Sequence, residues 1–510
     1  MIMKKTVKSI LSSVVCLLAV VSLYSCFGDD SKYATNPLSD ITISGQLDSI
    51  YNINKNDTLV ISPVISMANQ QKECTYTWEI NGETYSHDKD FVYVGNRLGK
   101  YLCRLVVENE DGKAFHTFTM YVNSPYEEGI TVISTDPEGR SMLSFMLTQT
   151  DTTIARHFEI GDCFAKNNPD VPFASNIVDM VQTSGSLILC CQGDTTGRSK
   201  SDIPTFYYLN EKTFAVENIL TAEEFSDFVP THMMVPSVGY QGVSYIVLCK
   251  NGKAYEFSTT EGALTEPKHL QSNYAQSCIT NDDGSGLFFE FVVWDNVKGA
   301  LCEIYSGYGP FYCGDQYHLS YDQCNEATNY FTGCDLIQML YRHGTSAQKA
   351  SAVSSEQVLV IAKKGNIIQK SVLGIDFWRY SDDVGDNVLD VEIGKKTALF
   401  NLNTTFTADC PAIAGFYNLY YGSGNQVYSW TYVTNMLSTA KPIQTVGSAD
   451  AIITGFEFSE DLQELYVAFY EPNQTGLNGS VWVLDPDNGA VLRRYDNVCY
   501  KPTKIMYKVK

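Results

Sequence analysis

Between residues 38 and 125, apolar and polar positions alternate in short runs, a pattern that predicts β-strands. Thr58–Ile61 and Tyr76–Ile80 are two such runs, and the turn-forming pair Asn81-Gly82 follows the second. The third run, Tyr101–Val107, places every second side chain on one apolar face. Because these runs lie close together along the chain, we expect them to form one small antiparallel domain.

After a polar linker at residues 123–129, a strand–turn–strand unit recurs with variation. Each copy has two apolar runs separated by a Gly-, Asp- or Asn-containing turn, which is the pattern of a β-hairpin. The paired runs are Ile130–Ile133 with Leu143–Leu147, Val243–Cys249 with Lys253–Ser258, Val358–Ala362 with Asn366–Lys370, and Phe416–Tyr421 with Gln426–Tyr432.

The last copy is the most complete. It comprises Gly455–Ser459, Glu464–Tyr470, Ser480–Leu484 and Ala490–Tyr495, four strands in the order of one propeller blade. About 380 residues follow the linker, and at roughly 45–55 residues per blade they predict a degenerate seven-bladed β-propeller. Two stacked β-sandwiches of similar length are the alternative.

Helical patterns are scarce. Ala222–Phe228 and Leu336–Tyr341 are the two short candidates, and neither is long enough for an independent amphipathic helix. The chain is therefore predicted to be all-β.

The N-terminus predicts the location of the protein. Lys4, Lys5 and Lys8 precede the apolar run Ile10–Ser22, which suits the core of a signal peptide but is short for a membrane span. The following residues, 23–26, end in Cys26 and resemble the lipobox of bacterial lipoproteins. That resemblance implies a signal peptide at 1–25, acylation of Cys26, and a tether at 26–36. The acidic start of the tether resembles the surface-export signal of Bacteroidota lipoproteins, and an ordinary secretory signal is the alternative.

Residues 37–125 resemble the PKD domain, an immunoglobulin-like sandwich. The resemblance rests on Tyr76-x-Trp78 before its Asn-Gly turn, and on the alternating strand Gly99-x-Tyr101-x-Cys103 before an Asp-Gly hairpin. The Gly-Asp-Gly loop usual after the tryptophan strand is absent. The chain is in this respect more similar to the PKD-like domains of Bacteroidota lipoproteins. The larger domain is expected at 129–510.

The charge and the cysteine pattern of the chain limit which partners and bound metals are expected. The net charge is −22 and the pI is about 4.7, so binding to nucleic acid is disfavoured. Several cysteines lie within apolar strand-like runs, and we expect Cys103, Cys190, Cys191 and Cys249 to be buried thiols. No C-x-x-C or H-x-x-x-H spacing occurs. We therefore expect neither a bound metal nor a cofactor.

The chain contains neither the His-Glu-x-x-His motif of metallohydrolases nor the Gly-x-Ser-x-Gly motif of serine hydrolases. The acid-rich stretches at 281–286 and 380–387, which include Asp382, Asp383 and Asp386, are the remaining option for hydrolysis or calcium binding. Such stretches are also typical of surface turns. No catalytic residue is predicted.

One aromatic stretch is a candidate contact surface. Residues 306–335 have no periodicity and are expected to form a long loop or a blade insertion, in which exposed tyrosines would offer flat, amphipathic area to a ligand or partner. The alternative is a local core beneath the loop. The aromatic residues are Tyr308, Phe311, Tyr312, Tyr317, Tyr321, Tyr330 and Phe331.

Four short motifs resemble the Asp-Ser/Thr-apolar O-glycosylation pattern of Bacteroidota envelope proteins. The acceptor residues would be Ser49, Thr58, Thr152 and Thr195.

Taken along its length, the chain resembles the PKD-like family lipoproteins of Bacteroidota. That resemblance implies a non-catalytic accessory lipoprotein of a SusC/SusD-type importer, anchored in the outer membrane and facing outward, which captures a peptide or glycan or docks on the transporter. Two alternatives are a surface hydrolase with its active site at the propeller mouth, and an adhesin or spacer.

Overall fold

A computed structural model describes residues 38–45, 47–148, 161–183, 185–194, 203–222, 228–234, 244–250, 254–258, 263–265, 275–280, 290–295, 300–305, 308–312, 333–345, 348, 356–381, 386–393, 397–400, 405–433 and 440–509. The chain divides into two compact units, with the boundary between Asn123 and Ser124. Nearly all of the regular secondary structure among the described residues is strand, so the prediction of an all-β chain is confirmed.

The first unit contains nine strands. They are β1 (Ile41–Ser44), β2 (Ile50–Asn54), β3 (Thr58–Ile61), β4 (Val64–Met67), β5 (Thr75–Ile80), β6 (Glu83–Ser86), β7 (Phe91–Val94), β8 (Gly99–Asn109) and β9 (Gly112–Asn123). One sheet has the order β2-β9-β8-β5-β6, and β1 with β4 and β3 with β7 form two-stranded sheets. Among the described residues of this unit, β2 and β9 pair in parallel and the other strand pairs are antiparallel.

The core of the first unit is built around the indole of Trp78, which is fully buried. Its ring lies 4.9 Å from that of Phe91 and 6.3 Å from that of Phe118, measured between centroids. Asn81 and Gly82 have φ angles of 51° and 85°, the left-handed values that a two-residue hairpin requires. The turn predicted from sequence is therefore confirmed, as is the buried face of β8 at Cys103 and Leu105.

The second unit contains 28 described strands and one short helix, α1 (Cys163–Asn167). The strands are β10 (Gly129–Thr135), β11 (Ser141–Leu147), β12 (Ile177–Thr183), β13 (Ser186–Cys191), β14 (Thr205–Asn210), β15 (Val216–Thr221), β16 (Pro230–Met234), β17 (Ser244–Cys249), β18 (Ala254–Ser258), β19 (Ala263–Thr265), β20 (Ala275–Thr280), β21 (Glu290–Asp295), β22 (Ala300–Tyr305), β23 (Tyr308–Tyr312), β24 (Asp335–His343), β25 (Glu356–Lys364), β26 (Ile367–Ser381), β27 (Asp386–Ile393), β28 (Thr397–Phe400), β29 (Ala412–Gly415), β30 (Asn418–Ser423), β31 (Gln426–Thr431), β32 (Lys441–Thr445), β33 (Ile452–Phe458), β34 (Leu465–Tyr470), β35 (Gly479–Leu484), β36 (Val491–Cys499) and β37 (Lys501–Lys508).

These strands form successive antiparallel groups. Four groups contain four strands each, in chain order: β12–β15, β16–β19, β20–β23 and β33–β36. β24–β28 and β29–β32 are two further groups, joined by a short parallel pairing of Arg342 with Ala414 and His343 with Gly415. The remaining group has the order β11-β10-β37, so the last strand of the chain pairs with the first strand of this unit.

We call the strand at one edge of each group its leading strand: β37, β12, β16, β20, β24, β29 and β33. Each leading strand contacts the next along this series, and β33 contacts β37. Six of the seven carry a one-residue register shift near their start. Such a β-bulge twists a strand and changes the direction of the following side chains. The shifts fall at Val178, Thr231, Gln276, Ile337, Thr454 and Thr503.

Two sequence predictions in the second unit are wrong. Leu336–Tyr341 is not a helix but belongs to β24. Its bulge at Ile337 puts buried residues three apart, at Leu336 and Met339, a spacing that imitates a helical period. Residues 306–335 are not a loop throughout, because β23 pairs with β22. An outermost strand tolerates Pro310, which has no N–H to donate.

The hairpins predicted from sequence are confirmed, including the four strands of the last copy. Among the aromatic residues between positions 416 and 432, Tyr421, Trp430 and Tyr432 are buried, whereas Tyr417 is exposed. The four cysteines predicted to be buried are so. The other helix candidate, Ala222–Phe228, lies largely outside the described residues.

Candidate functional site

A buried carboxylate joins three leading strands of the second unit. Asp179 in β12 is only 1% exposed. Its Oδ1 lies 2.8 Å from Nζ of Lys504 in β37, and its Oδ2 lies 2.6 Å from Nδ1 of His232 in β16. The backbone N–H groups of Met180 and Met233 donate to the same two oxygens, at 2.9 and 2.8 Å. We call Asp179, His232, Lys504 and the nearby Glu457 the channel cluster.

The bulges explain why these residues meet. Asp179, His232 and Lys504 each follow directly after the register shift of their own leading strand. Ser277, Gln338 and Gly455 occupy the corresponding register positions in β20, β24 and β33. Structurally equivalent positions of neighbouring repeats therefore carry a series of mostly polar residues, and three of them are in direct contact.

Opposing effects set the ionisation of the channel cluster. Burial alone would raise the pKa of Asp179, but the charges of Lys504 and His232 outweigh it and hold that pKa well below its usual range. Burial would lower the pKa of Lys504, but the Asp179 and Glu457 carboxylates raise it. Glu457 in β33 has its pKa raised to about 7, because burial outweighs the Phe458 N–H and Lys504.

The cluster is suited to holding strands together rather than to proton transfer. The Asp179 carboxylate accepts four hydrogen bonds, so its lone pairs are fully used. A buried charge that is paired and fully hydrogen-bonded is stable, and removal of a partner is costly. His232 and Lys504 nevertheless keep 41% and 34% of their side-chain surface exposed, so both also face solvent.

An open cleft of about 560 Å³ lies at the start of several leading strands, and we call it the mouth cleft. Its volume is within the range of small-molecule sites. β24, β29, β33, β34, β37 and the loop before β29 provide its walls. The lining residues are Gln338, Ala408, Asp409, Cys410, Pro411, Ala412, Ile452, Ile453, Thr454, Tyr470, Lys501, Pro502 and Thr503.

The loop wall of the mouth cleft is held in place by Gln338. Its amide nitrogen donates to the carbonyl oxygens of Ala408 and Cys410, at 3.0 and 3.1 Å. The Cys410 thiol donates to the carbonyl of Thr405 at 3.3 Å. Because Gln338 occupies the post-bulge position of β24, the same repeated feature that forms the channel cluster also shapes this cleft.

Two charges border the mouth cleft. The Lys501 ammonium lies 5.2 Å from the centroid of the Tyr470 ring, a cation–π arrangement. Asp409 is exposed on the loop wall. Within the described residues, neither has an opposite charge in ion-pairing distance.

A second cavity, of about 440 Å³, is acidic. Glu128, Glu460, Asp461 and Glu464 line it, together with Arg493. Arg493 pairs with Glu464, and this pairing raises the pKa of Arg493 although burial opposes it. The cavity therefore contains its own counter-charge.

Of the residues predicted from sequence, those that the structure describes lie in separate elements. Cys26, Tyr317, Tyr321, Tyr330, Phe331, Thr152, Thr195, Asp382 and Asp383 lie outside the described residues. Tyr308, Phe311 and Tyr312 lie in β23, and Asp386 begins β27. Ser49 and Thr58 are exposed in the first unit, as an attachment site for a glycan requires.

Sequence reasoning missed both the channel cluster and the mouth cleft. A signal was present, because a polar residue is followed by an apolar one in Val178-Asp179-Met180, Thr231-His232-Met233 and Thr503-Lys504-Ile505. The hairpin repeat does not contain these triplets. The first two lie in strands that precede a hairpin, and the third lies in β37, the last strand of the chain.

Within the described ranges, no group of three or more His, Cys, Asp or Glu side chains could hold a metal ion. In the same ranges, no helix has the length and apolar character needed to span a bilayer.

Comparison with known proteins identifies the first unit. Residues 40–109 match the family model of the PKD-like domain. No curated protein matches the chain. A quinonprotein alcohol dehydrogenase-like protein from Bacteroides thetaiotaomicron is similar in structure at 15% identity and a TM-score of 0.45, covering 90% of this chain and 96% of its own. Apo AztD from Citrobacter koseri has 10% identity and a TM-score of 0.33, covering 86% and 98%. The chain thus contains a PKD-like domain followed by a larger all-β unit.

Proposed function

We propose that this protein is a non-catalytic lipoprotein on the outer face of the outer membrane, anchored through Cys26. It acts as an accessory component of a SusC/SusD-type importer and captures a peptide or glycan or docks on the transporter. The PKD-like domain and the lipobox pattern at residues 23–26 support this proposal. The second unit supplies the binding surface.

The second unit is proposed to be a seven-bladed β-propeller. Seven leading strands contact one another in series, and the contacts of β37 with β33 and β12 complete the circuit. The pairing of β37 with β10 joins the end of the chain to the start of the unit, as propellers do when one blade is built from both ends. Each leading strand would then line a central channel.

The observation that carries the binding proposal is the mouth cleft. Its wall is fixed by hydrogen bonds from Gln338, so the cleft is preformed, and preformed concave sites bind ligands with little ordering cost. Lys501 and Asp409 line the cleft, whereas the Asp179 carboxylate of the channel cluster is engaged in ion pairs with His232 and Lys504. This arrangement favours capture over bond breaking.

A ligand panel tests capture directly. The purified lipoprotein is incubated with defined peptides and with oligosaccharides, and bound and free pools are separated and analysed by mass spectrometry. We expect saturable binding and intact ligand in both pools. Cleavage products that accumulate with time would contradict the proposal.

The Asp179–His232 pair favours one second candidate, a surface hydrolase. A histidine whose Nδ1 is held by a carboxylate can act as a general base through Nε2. If cleavage is found, His232→Gln should abolish it in this case. Loss with Asp382→Asn or Asp383→Asn instead would place the active site in the acidic stretch.

A further inference from the structure

We propose that the mouth cleft binds the C-terminal end of a peptide, with the terminal carboxylate at Lys501 and a peptide N–H donor at Asp409. This inference rests on the proposed ligand-capture function and specifies its substrate class. It is carried by the charges and by the lining of the cleft.

The ammonium of Lys501 is available to bind an anionic group. The chain has 58 acidic and 36 basic residues, so a lysine has many potential carboxylate partners. Lys72 has two such partners, and Lys113 and Lys504 have one each. Lys501 is exposed and lies over the Tyr470 ring, with no carboxylate of the described residues in ion-pairing distance. A cation–π contact orients the ammonium while leaving its N–H donors available to an anion.

Asp409 provides a negative charge at the cleft. This carboxylate lies on the loop wall that Gln338 fixes, and it is exposed. A cleft with one available cation and one available anion is complementary to a ligand that carries both a carboxylate and N–H donors. A peptide terminus has both groups.

The apolar lining of the cleft favours a peptide over a glycan. Six of the lining residues are aliphatic or proline: Ala408, Pro411, Ala412, Ile452, Ile453 and Pro502. Ile452 is 40% exposed, which leaves apolar area for a ligand side chain. Tyr470 is the one aromatic residue of the lining, and Lys501 lies over its ring. A sugar would therefore lack an open aromatic face on which to stack, whereas an apolar C-terminal residue would be accommodated.

The test uses the full mature lipoprotein in detergent and two matched probe pairs. One pair is an acetylated tripeptide ending in leucine, as free acid and as C-terminal amide. The other is a uronic-acid oligosaccharide and its neutral counterpart. Affinities are measured by isothermal titration for the wild type, Lys501→Met, Lys501→Arg and Asp409→Asn. Lys441→Met, which changes an exposed lysine of β32, is the control.

We expect the peptide acid to bind at least about tenfold more tightly than the amide, since a charge-assisted hydrogen bond is lost in the amide. Lys501→Met should remove this preference, whereas Lys501→Arg and Lys441→Met should keep it. Asp409→Asn should weaken the binding of the peptide acid and of the peptide amide by the same factor.

Three results would overturn the inference. Equal binding of acid and amide, or an acid preference that survives Lys501→Met, would exclude the carboxylate contact. Binding of the uronic-acid oligosaccharide alone would refute the peptide assignment and leave the capture function intact. If neither probe pair binds, the cleft is not the proposed site, while membership of a transporter complex is tested separately by co-purification.

Discussion

Replacing Asp179 with asparagine is the perturbation that the structure defines most sharply. The change keeps the size of the side chain but removes the charge that Lys504 and His232 share. The leading strands β16 and β37 both lose the charged partner that β12 provides. If the circuit of leading strands depends on this carboxylate, the second unit should be destabilised while the PKD-like domain is not.

The magnitude follows from burial. Asp179 is 1% exposed, and loss of one partner of a buried, hydrogen-bonded ion pair costs about 3–5 kcal/mol. Lys504 retains 34% side-chain exposure, so water stabilises part of its unpaired charge and the lower end of that range applies. We therefore expect a loss of about 3 kcal/mol and a fall in Tm of roughly 5 °C.

The pH dependence gives a second readout with a defined sign. Because the pKa of Asp179 is lowered in the folded state, its stabilisation is present above the pKa of an unfolded aspartate and is lost as pH falls toward the folded value. The part of the difference between wild type and Asp179→Asn that comes from ionisation of Asp179 should therefore be fully present above about pH 4 and shrink below it.

Scanning calorimetry of the chain from residue 27 onward measures both effects, since the two units should unfold in separate transitions. Asp487→Asn, an exposed turn residue of the same unit, is the matched control. A loss of less than about 1 kcal/mol for Asp179→Asn, the usual scale of an exposed pair, would refute the view that the channel cluster holds the strands together.

Three further predictions can be checked independently. Glu457→Gln should stabilise the protein at pH 8 by up to about 3 kcal/mol but change its stability little at pH 4.5. The reason is that the pKa of Glu457 is raised to about 7, so the stability of the wild type falls as pH rises from 4.5 to 8. Measuring the Tm of both proteins across this pH range tests the sign. Trp78→Ala should cost the first unit about 3–5 kcal/mol and leave the calorimetric transition of the second unit unchanged. If β23 contacts a partner, replacing Tyr308, Phe311 and Tyr312 together by alanine should weaken partner binding by several kcal/mol and leave Tm nearly constant. A large fall in Tm would instead show that these rings fill a local core.

Local chemistry made the hairpins predictable. Asn81-Gly82 adopts the backbone conformation that its residue types favour, and the alternation of β8 follows the buried face of one sheet. Neither feature depends on distant parts of the chain. The same reasoning correctly found four strands between Ile452 and Cys499.

Long-range pairing was not predictable in this way. β37 pairs with β10 across most of the unit, and its sequence, with lysines at 501, 504 and 508, has the appearance of a charged tail. The pairing of Lys504 with Asp179 is a tertiary feature that periodicity does not encode. The bulges also made the channel cluster hard to predict, because each one shifts the alternation by a residue directly before a side chain of the cluster.

Co-purification from native outer membranes is the most direct test of the proposed function. The lipoprotein, tagged at its C-terminus and expressed from its own locus, is extracted in mild detergent, isolated, and analysed by native gel and mass spectrometry, with Cys26→Ala as the unanchored control. The account predicts a stable complex that contains a channel-sized outer-membrane β-barrel and is lost in the Cys26→Ala strain. Wild-type protein that migrates alone after extraction, with no channel-sized partner, would contradict it.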